Sequence, residues 1–150
     1  MRNLILVLIL ATLLGGGYFL NVSDLLEPRH NASVIASDCN LQQGSCQVEF
    51  HGSLWEFQIN PRNFDVLQPL QISLKKLSDS PVNLESVKVQ FEGINMDMGY
   101  NLVKLQPVSG SLFESTAMLP DCTAETMYWF VHLIILSGDE LSDFQFRLQT

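Results

Sequence analysis

Three cysteines and five methionines carry the soft chemistry of this 150-residue chain. In the segment Gly93-Ile94-Asn95-Met96-Asp97-Met98-Gly99-Tyr100, two thioethers stand two residues apart. Side chains alternate between faces in an extended backbone, so Met96 and Met98 share a side and Asp97 points away. Paired thioethers are a soft donor set suited to Cu(I). Cys122 adds a thiol in the turn Leu119-Pro120-Asp121-Cys122-Thr123, and Met127 follows five residues later. Met96, Met98, Cys122 and Met127 together would make a soft Cu(I) site that needs no hard ligand. Methionine is also a flexible filler of apolar cores, so packing is the competing reading of the same residues.

Cys39 and Cys46 are close in sequence, with Gly44 allowing a turn between them. In an oxidising compartment such a pair forms a disulfide. Two alternatives stay open: one of them pairs with Cys122, or both are redox-active. The spacing is not CxxC, so the thioredoxin-type signal is absent. If Cys39 pairs with Cys46, Cys122 is a leftover thiol, which in an exported protein tends to oxidise or to bind metal.

The histidines add little. His132 sits inside an apolar run and reads as a core or interface residue. His51 precedes Gly52 at a strand end and becomes an extra ligand only if the fold brings it near Met96. His30 falls in a polar connecting stretch, and no H-x-x-x-H or HExxH spacing suggests zinc. Catalytic motifs are missing too: there is no GxSxG elbow, no glycine-rich phosphate loop and no Walker sequence. A thiol dyad of Cys122 with His132 or His51 would need the two within hydrogen-bonding reach, which spacing does not show. The expectation is a protein that is not an enzyme.

The elements that must position these residues are strands. From Cys46 onward apolar residues recur with period two. Val48 and Phe50 point one way; Trp55, Phe57 and Ile59 share a face; so do Leu70, Ile72 and Leu74, and Val87, Val89 and Phe91. Leu112 to Met118 is a further strand, and Phe144, Phe146 and Leu148 alternate near the end. Met127 to Leu136 (MYWFVHLIIL) is apolar on both faces. It is too short to span a membrane as a helix, and its aromatic and β-branched content predicts a central strand. Turn signals separate the runs at Asn60-Pro61, Ser80-Pro81, Ser109-Gly110 and Ser137-Gly138-Asp139. The pattern predicts an all-β fold, an immunoglobulin-like antiparallel β-sandwich of about seven strands.

Ahead of the strands, residues 3–20 (NLILVLILATLLGGGYFL) carry no charge. A helix of about 17 apolar residues spans roughly 25 Å, just short of a hydrocarbon core. Arg2 precedes the run, and Asp24 and Glu27 follow it, which favours keeping the N-terminus in the cytoplasm and exporting the rest. A cleaved signal peptide is the rival reading, but Gly15-Gly16-Gly17 followed by Tyr18, Phe19 and Leu20 is a poor cleavage site. The expected organisation is an N-terminal transmembrane anchor over 1–20, a tether over 21–38 and a sandwich domain over 39–150. With 8 Lys and Arg against 16 Asp and Glu, the net charge is −8. No basic stripe is present, so nucleic acid is not an expected partner.

The segments GINMDMGYN, Leu119 to Cys122 (LPDC) and Met127-Tyr128-Trp129 resemble those of a group of small uncharacterised bacterial membrane-anchored exported proteins. That group shares an N-terminal anchor, a short cysteine pair, an MxMGYN segment and an LPxCxxxxMxW segment. The similarity covers most of residues 39 to 135. More distantly, the layout is similar to YtkA-like and FixH-like domains, which are exported immunoglobulin-like sandwiches linked to copper delivery or oxidase assembly. The resemblance implies Met96, Met98, Cys122 and Met127 as Cu(I) ligands, although the His-Met pair used by many exported copper chaperones is lacking here. It also implies a place in the bacterial inner membrane, single-pass, with the domain in the periplasm and a protein partner in oxidase or copper-site assembly. The competing expectation is a non-enzymatic interaction module of a membrane complex without a metal site. In that case Tyr100, Tyr128 and Trp129 would anchor the interface, since aromatics dominate binding hot spots.

Overall fold

The structure, a computed structural model, describes residues 33–78, 82–121 and 126–150. The apolar segment 3–20, the tether up to residue 32, and Cys122 lie outside the described residues. Among the described residues no helix is long and apolar enough to cross a membrane.

Alternation translates directly into strands with one buried face. β2 (Cys46–Phe50) and β3 (Ser53–Asn60) form a hairpin, in which Phe50 pairs with Ser53. The two loop residues, His51 and Gly52, have φ of 51° and 66°. Positive φ at both positions is the type I′ geometry that matches the twist of the flanking strands. β4 (Pro69–Lys76) pairs with β3 on one side and with β8 (Leu112–Met118) on the other. In the second sheet, β9 (Tyr128–Ser137) runs between β5 (Ser86–Gly93) and β10 (Glu140–Gln149), antiparallel to both.

Three short strands complete the sheets: β1 (Ser33–Ala36), β6 (Asn101–Lys104) and β7 (Gln106–Ser109). The result is all-β, with two five-stranded sheets ordered β1-β10-β9-β5-β6 and β2-β3-β4-β8-β7. Alternation predicts about seven strands, and the three additional ones are all edges of four residues. β1 and β7 are exposed throughout, and β6 is only half-buried. An edge strand that buries no face carries no period-two signature, and Pro107 is tolerated in β7 because an edge need not donate on both sides. β1 lies within the stretch read as tether and pairs parallel with β10, Ser33 opposite Ser142.

The inner faces meet in one core of Trp55, Phe57, Ile59, Ile72, Val89, Phe91, Val131, Leu133 and Phe146, all at most 1% exposed. Phe57 of one sheet and Phe146 of the other have ring centroids 5.4 Å apart, so the sheets stack as a sandwich. Each such side chain removed from water contributes about 1.5–3 kcal/mol. β9 occupies the middle of its sheet, as its two-sided apolar sequence requires. Trp129, Val131, Leu133 and Ile135 fill the core, while Phe130 and Ile134 on the other face are half-buried.

Cys39 and Cys46 form a disulfide, with Cα atoms 5.8 Å apart. Cys46 is fully buried at the start of β2 and Cys39 packs against the core margin. The bridge therefore fastens the turn at residues 41–44 to the first strand of its sheet. Replacing both residues with Ala should lower the unfolding free energy by about 2.5 kcal/mol, from the loss of a short closed loop in the unfolded chain. Denaturant melts of the oxidised protein and the double variant, compared at equal slope, would check this.

Candidate functional site

Four methionines fall among the described residues, and all gather at one end of the sandwich. β5 ends at Gly93, and the chain then bends through 94–96 before it reaches β6. Asn95 fixes that bend. Its Nδ2 donates to the Thr126 carbonyl at 2.9 Å, and its Oδ1 accepts from the Tyr128 amide at 3.0 Å. The Ile94 amide also donates to the Tyr128 carbonyl at 2.8 Å. The Met96–Met98 segment is thus tied to the residues that launch β9.

Met127 is the residue between those two anchor points. Its backbone exchanges hydrogen bonds with Thr150 at 3.1 and 2.9 Å, and its side chain is 2% exposed. Gly93 shows how closely these parts approach. A Cβ at this position would stand 3.2 Å from Met127 Cε, 3.2 Å from Met98 Cγ and 2.2 Å from the Met96 carbonyl oxygen. The missing side chain leaves the space into which Met98 and Met127 converge. Met96 and Met98 are both half-buried against the end of the core, while Asp97 between them is exposed.

Met96 and Met98 both pack against the core, but from a turn rather than from the extended backbone that the spacing presumed. Asp97 Oδ1 accepts the Gly99 amide at 2.8 Å, and Gly99 adopts φ of 71°. This Asp-closed turn replaces extended backbone and still leaves the two thioethers on the core side. Cys122 lies outside the described residues, between Asp121 and Thr126. Met118, the last residue of β8, was not singled out by spacing. It is 51% exposed and lines an open pocket of about 410 Å³ together with Met98, Tyr100, Leu67 and Pro120. Only register across two sheets could have placed it beside Met98.

The remaining candidates are elsewhere or differently employed. His51 lies in the β2–β3 turn, at the opposite end of the sandwich, with Nε2 2.6 Å from Glu140 Oε2. It is no companion to Met96. Trp129 cannot anchor an interface, because it is fully buried and its Nε1 donates to Thr150 Oγ1 at 3.2 Å. Tyr100 and Tyr128 are exposed, at 77% and 45%. Among the described residues no group of three or more His, Cys, Asp and Glu side chains is arranged to hold a metal ion. The side chains of Met98 and Met127 approach each other over Gly93.

His132 is buried, as its apolar surroundings suggest, but it is also the electrostatic centre of the outer face of its sheet. Nδ1 lies 2.9 Å from Asp143 Oδ2, and Nε2 lies 3.3 Å from Glu92 Oε2. The latter pair is close enough for charge attraction without being aligned as a hydrogen bond. The imidazole pKa is raised above 6.5. The hydrogen bond to Asp143 is the largest cause, burial opposes it, and the charges of Asp143 and Glu92 add to the rise. Carboxylates facing both ring nitrogens favour the charged ring more than water does.

No protein-family model matches this sequence, and no curated protein matches it. Among solved structures, a DUF4785 family protein from Legionella pneumophila is similar at 16% identity and a TM-score of 0.42. The match covers 67% of this chain and 29% of that one, so the chain spans less than a third of that protein's length. The likeness is a distant one of β-rich architecture.

Proposed function

We propose that this chain is a membrane-tethered Cu(I)-binding domain. It stands on the periplasmic side of a bacterial inner membrane and hands the metal to a partner in membrane-enzyme assembly. The observation that carries the reading is the convergence of Met98 and Met127 on Gly93, with Met96 held in the same arch by Asn95. Met96, Met98 and Met127 are the ligands from the described residues, and Cys122, four residues before Thr126, is the fourth. Cu(I) is cargo here rather than a resident catalyst, so the protein acts by binding and release and not as an enzyme. Soft thioether donors hold Cu(I) while disfavouring harder divalent ions.

Two further features fit. The strand order, with β3-β4-β8 in one sheet and β5-β9-β10 in the other, supports an immunoglobulin-like reading of the sandwich. The apolar segment 3–20 would supply the single membrane span and the export of the domain.

An anaerobic titration of the full chain in detergent with Cu(I), against a chromogenic chelator, tests the reading. One equivalent held in competition with the chelator supports it. Met96→Leu with Met98→Leu keeps side-chain volume and removes both thioethers, so stability changes by less than about 1.5 kcal/mol. Affinity should fall by at least about 100-fold, since even outer-shell changes around a metal reach that size. A folded wild-type protein that binds no Cu(I) would leave the methionines as packing. A second reading would then stand, an interaction module that docks to a membrane complex. Its specific support is the exposed apolar rim at the same end, formed by Leu67, Ile94, Tyr100, Met118 and Tyr128.

A further inference from the structure

We propose that Met118 and Met98 form an exchange position through which Cu(I) enters and leaves the interior methionine site. The inference rests on the Cu(I) reading above and assigns a route and a residue to it. Met118 ends β8 in one sheet, whereas Met98 follows β5 of the other, and both line the same open pocket of about 410 Å³. The methionines are graded by burial in the order a relay needs. Met127 is 2% exposed, Met96 and Met98 are half-buried, and Met118 is 51% exposed.

A metal held only by Met127 and its neighbours would be shielded from any partner. Cu(I) changes hosts by ligand exchange, in which a new sulfur bond forms as an old one breaks and the metal stays in the +1 state. That step needs one donor reachable from outside and another shared with the interior. Met98 is shared, because its Cγ reaches the space over Gly93 while the residue also lines the pocket. Met118 is the reachable one. Its unbranched side chain has three rotatable bonds, which lets a thioether follow a moving ion. Leu67, Leu119 and Pro120 give the pocket one apolar side, and Tyr100 and Asn101 complete its lining.

The test uses the full chain in detergent, with methionine methyl groups labelled with carbon-13 and assigned by single Met→Leu substitutions. Cu(I) is added anaerobically and then withdrawn by a soluble bidentate acceptor. The Met118 methyl should shift or broaden with metal, and Met118→Leu should slow withdrawal by about tenfold, since tuning within one site falls mainly on the off-rate. Unchanged signals from Met96, Met98 and Met127 in the metal-free variant would show that it is folded. A Met118 methyl that stays fixed, with wild-type withdrawal kinetics in Met118→Leu, would overturn the exchange position. In that case shifts at Met96 and Met98 would leave the Cu(I) reading standing. If no methyl moves and no metal is bound, both fall together.

Discussion

Asp143→Ala should destabilise the domain by about 3 kcal/mol in denaturant unfolding near neutral pH, because it strips a buried imidazole of its hydrogen-bonded carboxylate partner. His132 and Asp143 are each 8% exposed, and Nδ1 lies between the two carboxylate oxygens at 2.9 and 3.1 Å. Removing Asp143 leaves the His132 ring without its closest acceptor. Glu92 softens the loss, because its carboxylate remains 3.3 Å from Nε2. It is more than half exposed, however, and solvent screens it. That places the effect at the lower end of the range for broken buried pairs.

The same residues fix the sign of a pH dependence. The folded pKa of His132 is raised above 6.5, so the folded state holds its proton more tightly than the unfolded chain does. The stabilisation is fully present below 6.5 and is lost as pH rises through the raised folded value. Stability should therefore fall as pH rises above 6.5 and through the raised folded value, more steeply in the wild type than in His132→Gln. Unfolding midpoints across that range, wild type against variant, measure it. Equal slopes would show that folding leaves the His132 pKa unchanged, and a slope of opposite sign would show that the fold holds the ring neutral.

Much of the architecture is written in period two. Trp55, Phe57 and Ile59, and likewise Val87, Val89 and Phe91, announce a buried face, and each run is a strand with that face inward. The central place of β9 follows from a sequence that has no polar face to give to water. What escapes is whatever depends on pairing across long separations. β1, β6 and β7 exist because a neighbour offers an open edge, and their own side chains bury little. His132 reads as a core residue from its apolar neighbours, but its pKa is raised by Asp143 on the adjacent strand and by Glu92 on the other side. At the methionine end, the MxM spacing presumed extended backbone, and the Asp97–Gly99 turn that replaces it was not legible. The role of Asn95 as the clamp was not legible either, because its partners Thr126 and Tyr128 are more than 30 residues away. Met118 was hidden for the same reason.

Gly93→Ala should cost about 3 kcal/mol, the upper end of the overpacking range, and should weaken Cu(I) binding along with stability. Its new Cβ would stand 2.2 Å from the Met96 carbonyl oxygen, a backbone atom that no rotamer change can move. One of two backbones must yield. The end of β5 is held by pairing of Gly93 with Trp129 and by the Ile94 amide on the Tyr128 carbonyl. The arch beyond it is held by the two Asn95 hydrogen bonds. The arch has fewer restraints, so it gives way, and Met96 and Met98 are carried off with it. Met127 Cε and Met98 Cγ, each 3.2 Å from the new carbon, are pushed apart as well. Asn95→Ala separates the two consequences, since it releases the arch without placing an atom between the thioethers. If the arch governs the site, both variants lose Cu(I) affinity, and Gly93→Ala loses more. If Gly93→Ala loses stability yet binds Cu(I) as the wild type does, the thioethers over Gly93 are packing alone.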